Sequence, residues 1–230
     1  MNIFIRRVIL SLGFILLITS SAVAQSGNED KSTDQHVQFR VLAEKSSIQP
    51  GEEIWIGVEQ SISPHWHTYW INPGDSGSST RHKWNLPDGF EVSEIQWPTP
   101  DKIPYPPLLN YGYSDKVMLL QTLKAPENIP EGPLNLSVDV EALVCKEICI
   151  PAYGTFKLTL NNPNNMEEDN SEYFEREISK IPSEMNWLSA FEAKDGVFYF
   201  STTLPENYSK FIDQGSIELI PVDWGLVENA

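Results

Sequence analysis

Residues 134–160, LNLSVDVEALVCKEICIPAYGTFKLTL, decide the reading of the fold. Two strand candidates, Leu134 to Val144 and Tyr153 to Leu160, flank a short segment that holds the only cysteines of the chain, Cys145 and Cys149. Six more strand-like runs lie upstream: Val37 to Ala43, Ile54 to Gln60 with Ile54, Ile56 and Val58 alternating, Ile62 to Ile71, Arg81 to Leu86, Phe90 to Trp97 and Val117 to Leu123. Turn-forming clusters separate them, among them Pro50-Gly51, Pro73-Gly74-Asp75, Pro87-Asp88-Gly89 and Glu131-Gly132-Pro133. Short strands at this spacing predict an all-β, immunoglobulin-like antiparallel β-sandwich over residues 36–163. The Pro- and aromatic-rich stretch from Trp97 to Tyr113 reads as a long loop between strands.

Working outward, the N-terminus has the layout of an export signal. Arg6 and Arg7 precede an uncharged run from Val8 to Ile18, and the small-x-small site Ala22-Val23-Ala24 follows. Residues 1–24 are therefore expected to be a cleaved signal peptide, and residues 25–35 a flexible leader without apolar side chains. On the other side, the Asn-rich stretch Asn161 to Asn170 reads as a linker with a boundary near Asn164. Beyond it come a short amphipathic helix within Glu167 to Ile181, and a hairpin of Trp187 to Ala193 and Val197 to Thr203 turning on Asp195-Gly196. A last strand, Ser216 to Val222, completes a smaller α+β module over 164–230, too thin in core to be whole.

Composition narrows the function. Sixteen Lys and Arg against 32 Asp and Glu give a formal charge of −16, which repels phosphate backbones and excludes nucleic acid as a partner. Apolar residues make up 40% of the chain and include seven Trp, enough to fill a β-rich core and to exclude wholesale disorder. Pro and Gly punctuate the sequence too often for a helical bundle.

The two cysteines are the chemical centre. An even count in an exported chain implies that they can pair, and three intervening residues between strands could bring the Cα atoms into the disulfide window of about 4.4–6.8 Å. As a staple the bond is weak, because so small a loop contributes only about 2 kcal/mol in the chain-entropy picture. That favours a redox-active pair over a structural one. The C-x-x-x-C spacing is not that of a thioredoxin-like C-x-x-C, so the pair works from a β scaffold. Lys146 favours a thiolate and Glu147 opposes it.

Other residues carry less. His65-Trp66-His67 in a strand would point both imidazoles to one face with Tyr69, which with the two thiols offers an alternative copper-binding, copper-tolerance site. Aromatic packing explains the same residues more simply. His36 and His82 are isolated. Asn72 to Gly77 is turn-forming without the Lys-Ser/Thr of a phosphate loop, and no G-x-S-x-G elbow is present. No cofactor or resident metal is expected.

Taken jointly, Pro64-His65-Trp66-His67-Thr68-Tyr69-Trp70-x-Asn72-Pro73-Gly74-Asp75-x-Gly77, Trp84-x-Leu86-Pro87-x-Gly89, Trp97-Pro98-x-Pro100, Tyr111-Gly112-Tyr113 and Val144-Cys145-x-x-x-Cys149-Ile150-Pro151 resemble the N-terminal periplasmic domain of the DsbD/ScsB thiol:disulfide interchange family. The C-x-x-x-C is similar to the ScsB-like branch. The resemblance covers roughly Gln35 to Asn161, and the weaker Ile220 to Leu226 resembles a downstream periplasmic segment of that branch. It implies an immunoglobulin-like domain that takes electrons from a thioredoxin-like domain and passes them to periplasmic disulfide isomerases or other exported thiol proteins. In it Cys149 would form mixed disulfides, Cys145 would resolve them, and Tyr111, Gly112 and Tyr113 would form a cap loop. The membrane helices and terminal thioredoxin-like domain of that family are absent from this sequence. Membrane contact is thus expected only through a missing or separate transmembrane section.

Overall fold

The computed structural model describes residues 35–162, 169–204, 208, 218–223 and 225. The export signal, most of the leader and the boundary near Asn164 lie outside these residues. Twelve strands and one helix follow in order: β1 Val37–Ala43, β2 Glu53–Ile62, β3 Thr68–Gly74, β4 Arg81–Asn85, β5 Glu91–Val92, β6 Asp101–Tyr105, β7 Leu108–Tyr113, β8 Lys116–Lys124, β9 Leu134–Cys145, β10 Cys149–Leu160, α1 Ser171–Ile178, β11 Ser189–Lys194 and β12 Val197–Thr202.

The fold is an antiparallel β-sandwich. One sheet has the order β1-β2-β8-β5. Facing it, β10-β9-β4 and β3-β7-β6 are joined where His67 and Cys145 exchange backbone hydrogen bonds, both 2.9 Å. Alternation sorts the side chains. Phe39, Val58, Val117 and Leu119 from the first sheet meet Val138, Val140, Ala142, Val144 and Phe156 from the second, all buried. A second part of the core, with Ile54, Ile56, Leu123, Leu136 and Leu160, continues it toward the other end.

The outer face of the first sheet is also covered, which explains why β8 is apolar on both faces. Phe174 of α1 is fully buried against Leu42, Met118 and Leu120. Beside it, the buried carboxylate of Glu59 accepts from the Tyr173 hydroxyl and pairs with Arg40 at 3.2 Å and Lys116 at 3.4 Å. Burial alone would raise its pKa, but Tyr173 and the two cations outweigh it and hold the carboxyl below its ordinary value. The helix assigned by sequence to a second module thus packs on the sandwich. It is shorter than Glu167 to Ile181, running only from Ser171 to Ile178, and Pro182 disfavours helical geometry just before it.

Four other expectations change. The run Ile62 to Ile71 is broken by a turn at 63–66, where Pro64 lacks an N–H, His65 takes φ 70°, and Trp66 N–H donates to Ser63 O at 3.0 Å. Only Glu91–Val92 of Phe90 to Trp97 pairs in a ladder; beyond it Thr122 N–H donates to Ser93 Oγ, Gln121 Nε2 donates to Ser93 O, and Gln96 makes an isolated bridge with Leu120. The stretch 101–113 is not a loop but the β6–β7 hairpin, with Pro104 tolerated on the edge strand β6. Residues 218–222 are not paired as a strand; Ile220 packs against the core, and Asn72 Nδ2 donates to Pro221 O at 2.8 Å. The Asp195-Gly196 hairpin forms as expected, both turn residues having positive φ.

Candidate functional site

The site sits at the tip of the β9–β10 hairpin. The ladder runs unbroken from Leu134↔Leu160 to Cys145↔Cys149, so the last pair of the register is the cysteine pair itself. Its Cα atoms are 4.1 Å apart, closer than the separation expected from the sequence, and the sulfurs are bonded. Lys146 N–H donates to Ile148 O at 3.0 Å and closes the three-residue connection. Pro151 pairs with Leu143 in this register, and its missing N–H is tolerated because β10 is an edge strand.

The two sulfurs are inequivalent. Cys145 is 2% exposed, pinned by its bridge to His67, whereas Cys149 is exposed. Ile148 beside it is 64% exposed and Lys146 and Glu147 are also in solvent. Of the two residues, Cys149 is the one that another thiol can approach from solvent.

Buried polar groups stand behind Cys149. Tyr69 Oη lies 3.8 Å from its Sγ, and His67 Nε2 lies 3.2 Å from the same hydroxyl, the two rings meeting edge to face. Burial raises the Tyr69 pKa, with Ser76 in partial opposition, and burial lowers that of His67. Two glycines permit this. A Cβ on Gly77 would stand 2.3 Å from the Tyr69 ring, and one on Gly112 would stand 2.0 Å from Thr68 O. The loop after β3 is tied down as well: Ser76 N–H and Oγ–H donate to Asn110 Oδ1, and Asp75 Oδ2 accepts from Leu109 N–H.

Tyr111, Gly112 and Tyr113, expected in a loop, lie buried in β7. Thr68 pairs with Tyr113 and Tyr69 with Gly112, so these residues back the strand that carries Tyr69. Tyr113 Oη donates to Pro98 O at 2.8 Å and Trp70 packs edge to face on Tyr111. His65 and His67 do not share a face: His65 is exposed in the turn and His67 is buried. Among the described residues no three His, Cys, Asp or Glu are grouped to hold a metal. Sequence reasoning placed Tyr69 on the His67 face but missed its approach to Cys149, which depends on the β3–β9 bridge.

A family model described as thiol:disulfide interchange protein DsbD, N-terminal, matches residues 36–161. The chain belongs to this family. The DsbD N-terminal match spans β1 to β10 and thus the cysteine pair, so the domain is one of thiol:disulfide interchange. Among solved structures, the N-terminal periplasmic domain of ScsB from Proteus mirabilis is similar, with TM-score 0.53 and 21% identity over 75% of this chain and 69% of that one; it shares the fold. No curated protein matches the chain.

Proposed function

We propose that this DsbD N-terminal domain works in the periplasm, accepting two electrons from a thioredoxin-like dithiol and passing them to an exported disulfide protein such as an isomerase. The observation that carries the reading is the split exposure of one bonded pair, Cys149 open and Cys145 buried. In the accepting half, the donor thiolate attacks Cys149 Sγ, the Sγ–Sγ bond breaks and Cys145 leaves with the electron pair. The donor's second thiol then displaces Cys149, leaving both cysteines reduced and the donor oxidised. In the delivering half Cys149 thiolate attacks the partner disulfide, and Cys145 resolves the mixed disulfide. The Tyr111-Gly112-Tyr113 strand acts as the rigid backing of the site, and the N-terminal segment as the export signal. No helix among the described residues is long and apolar enough to cross a membrane.

Equilibration with a dithiol of known potential, with the two states separated by alkylation and mass, tests the reading. A potential above about −300 mV is expected; a lower one is that of a structural disulfide and counts against it.

A further inference from the structure

The interchange reading leaves a buried histidine unused. We propose that His67 is a positioning residue for Cys149, acting through the Tyr69 hydroxyl as the far end of a proton relay. The proposal rests on the interchange role of Cys149 and adds how that sulfur is made nucleophilic.

Three atoms form a chain of contacts: Cys149 Sγ, Tyr69 Oη at 3.8 Å and His67 Nε2 at a further 3.2 Å. A phenol between a thiol and an imidazole accepts from one side while donating to the other. In the reduced domain, the Cys149 S–H proton moves to Tyr69 Oη as the Tyr69 O–H proton moves to His67 Nε2. One S–H and one O–H bond break, one O–H and one N–H bond form, and tyrosine ends unchanged. Thiol and imidazole become thiolate and imidazolium, and no electrons are transferred in this step. The new Tyr69 O–H then donates to the thiolate, and a hydrogen bond to the charged form favours it. When the thiolate attacks a partner disulfide, the departing partner sulfur takes the proton back along the same path.

The placement is specific. Burial lowers the His67 pKa, with no charged neighbour contributing, so the ring rests neutral and holds the extra proton only while the thiolate is its counter-charge. Its backbone is fixed by both hydrogen bonds to Cys145, so the imidazole stays in register with the cysteine hairpin. Facing it are Tyr69 from its own strand run and Cys145 across the bridge. Lys146 and Glu147, exposed at the hairpin tip, carry the formal charges flanking the pair and stay in every variant.

The test uses the full chain with Cys145→Ser, so that Cys149 is its one thiol, and reads the alkylation rate against pH. His67→Leu is expected to raise the apparent Cys149 pKa by about one unit, a tenfold loss of thiolate at neutral pH. Tyr69→Phe should raise it at least as much, and His67→Leu should add nothing in the Tyr69→Phe background. An unmoved pKa in His67→Leu, or shifts that add in full, overturns the relay. If His67→Leu does not fold, His67→Gln serves: a smaller rise is expected, and no rise overturns the proposal. At a pH high enough to ionise Cys149 in every variant, capture of a mixed disulfide depends on exposure and not on the relay, so failure of the interchange reading would show separately.

Discussion

The hairpins β9–β10 and β11–β12 are the same motif in opposite settings. In the first, twelve residue pairs bury alternate side chains in the sandwich core, and the tip from Lys146 to Cys149 stands in solvent. In the second, six pairs turn on Asp195-Gly196, and Phe191, Tyr199 and Phe200 stand exposed, Phe191 at 75%. A reactive pair needs one sulfur in reach and the other held, and only a hairpin anchored along its length supplies both. A hairpin alone is marginal in water.

Mutations sharpen this contrast. Phe156→Ala, emptying a fully buried site in β10, should cost about 4 kcal/mol in chemical denaturation, whereas Phe198→Ala in β12 should cost less than about 1 kcal/mol. Comparable losses would mean that the outer hairpin is packed as tightly as the inner one.

Gly112→Ala should cost about 3 kcal/mol, since the new methyl meets the backbone oxygen of Thr68 and that atom cannot swing away. Gly196→Ala meets nothing within 4 Å, so only its φ of 78° is penalised, by about 1 kcal/mol. Denaturation midpoints of the two variants measure the difference.

Acid should also act on the sandwich. His82 Nε2 is buried without a partner, and burial pulls its pKa down to about 4 against a Gln121 hydrogen bond that raises it. Between an unfolded value near 6.5 and about 4, the unfolded chain binds a proton that the folded chain refuses. Stability is therefore whole above 6.5, falls as pH drops to about 4 by no more than about 3 kcal/mol, and levels off below. His82→Gln should flatten that slope in Trp-fluorescence melts. The β11–β12 hairpin carries no histidine and has no such dependence to lose.

Smallest is the disulfide's own share. Reduction should lower stability by about 2 kcal/mol or less, because the closed loop is so short. A larger drop on adding dithiothreitol would mark the bond as a staple.

Much of the sandwich was legible in the sequence, because β1, β9 and β10 carry the alternation that burial on one face demands, and β2 and β8 are short apolar runs bounded by turns. The β6–β7 hairpin was not, since Pro104, Pro106 and Pro107 disguise an edge hairpin as a loop. His65 was misplaced because the turn at Pro64 interrupts a run, Ile62 to Ile71, whose Ile, Trp and Tyr residues read as one strand. The cysteine pair was readable from its spacing between strands, but the difference in exposure was not. Nor was the approach of Tyr69, which follows from a single bridge between residues 78 positions apart, His67 and Cys145.

The most direct measurement is the capture of a small disulfide, such as oxidised glutathione, by the two reduced single-cysteine variants under native conditions, followed by mass. Cys145→Ser, which leaves Cys149, should form the mixed disulfide rapidly, and Cys149→Ser, which leaves Cys145, should barely react. Equal rates, or faster capture on Cys145, would contradict the division between an open and a sheltered sulfur.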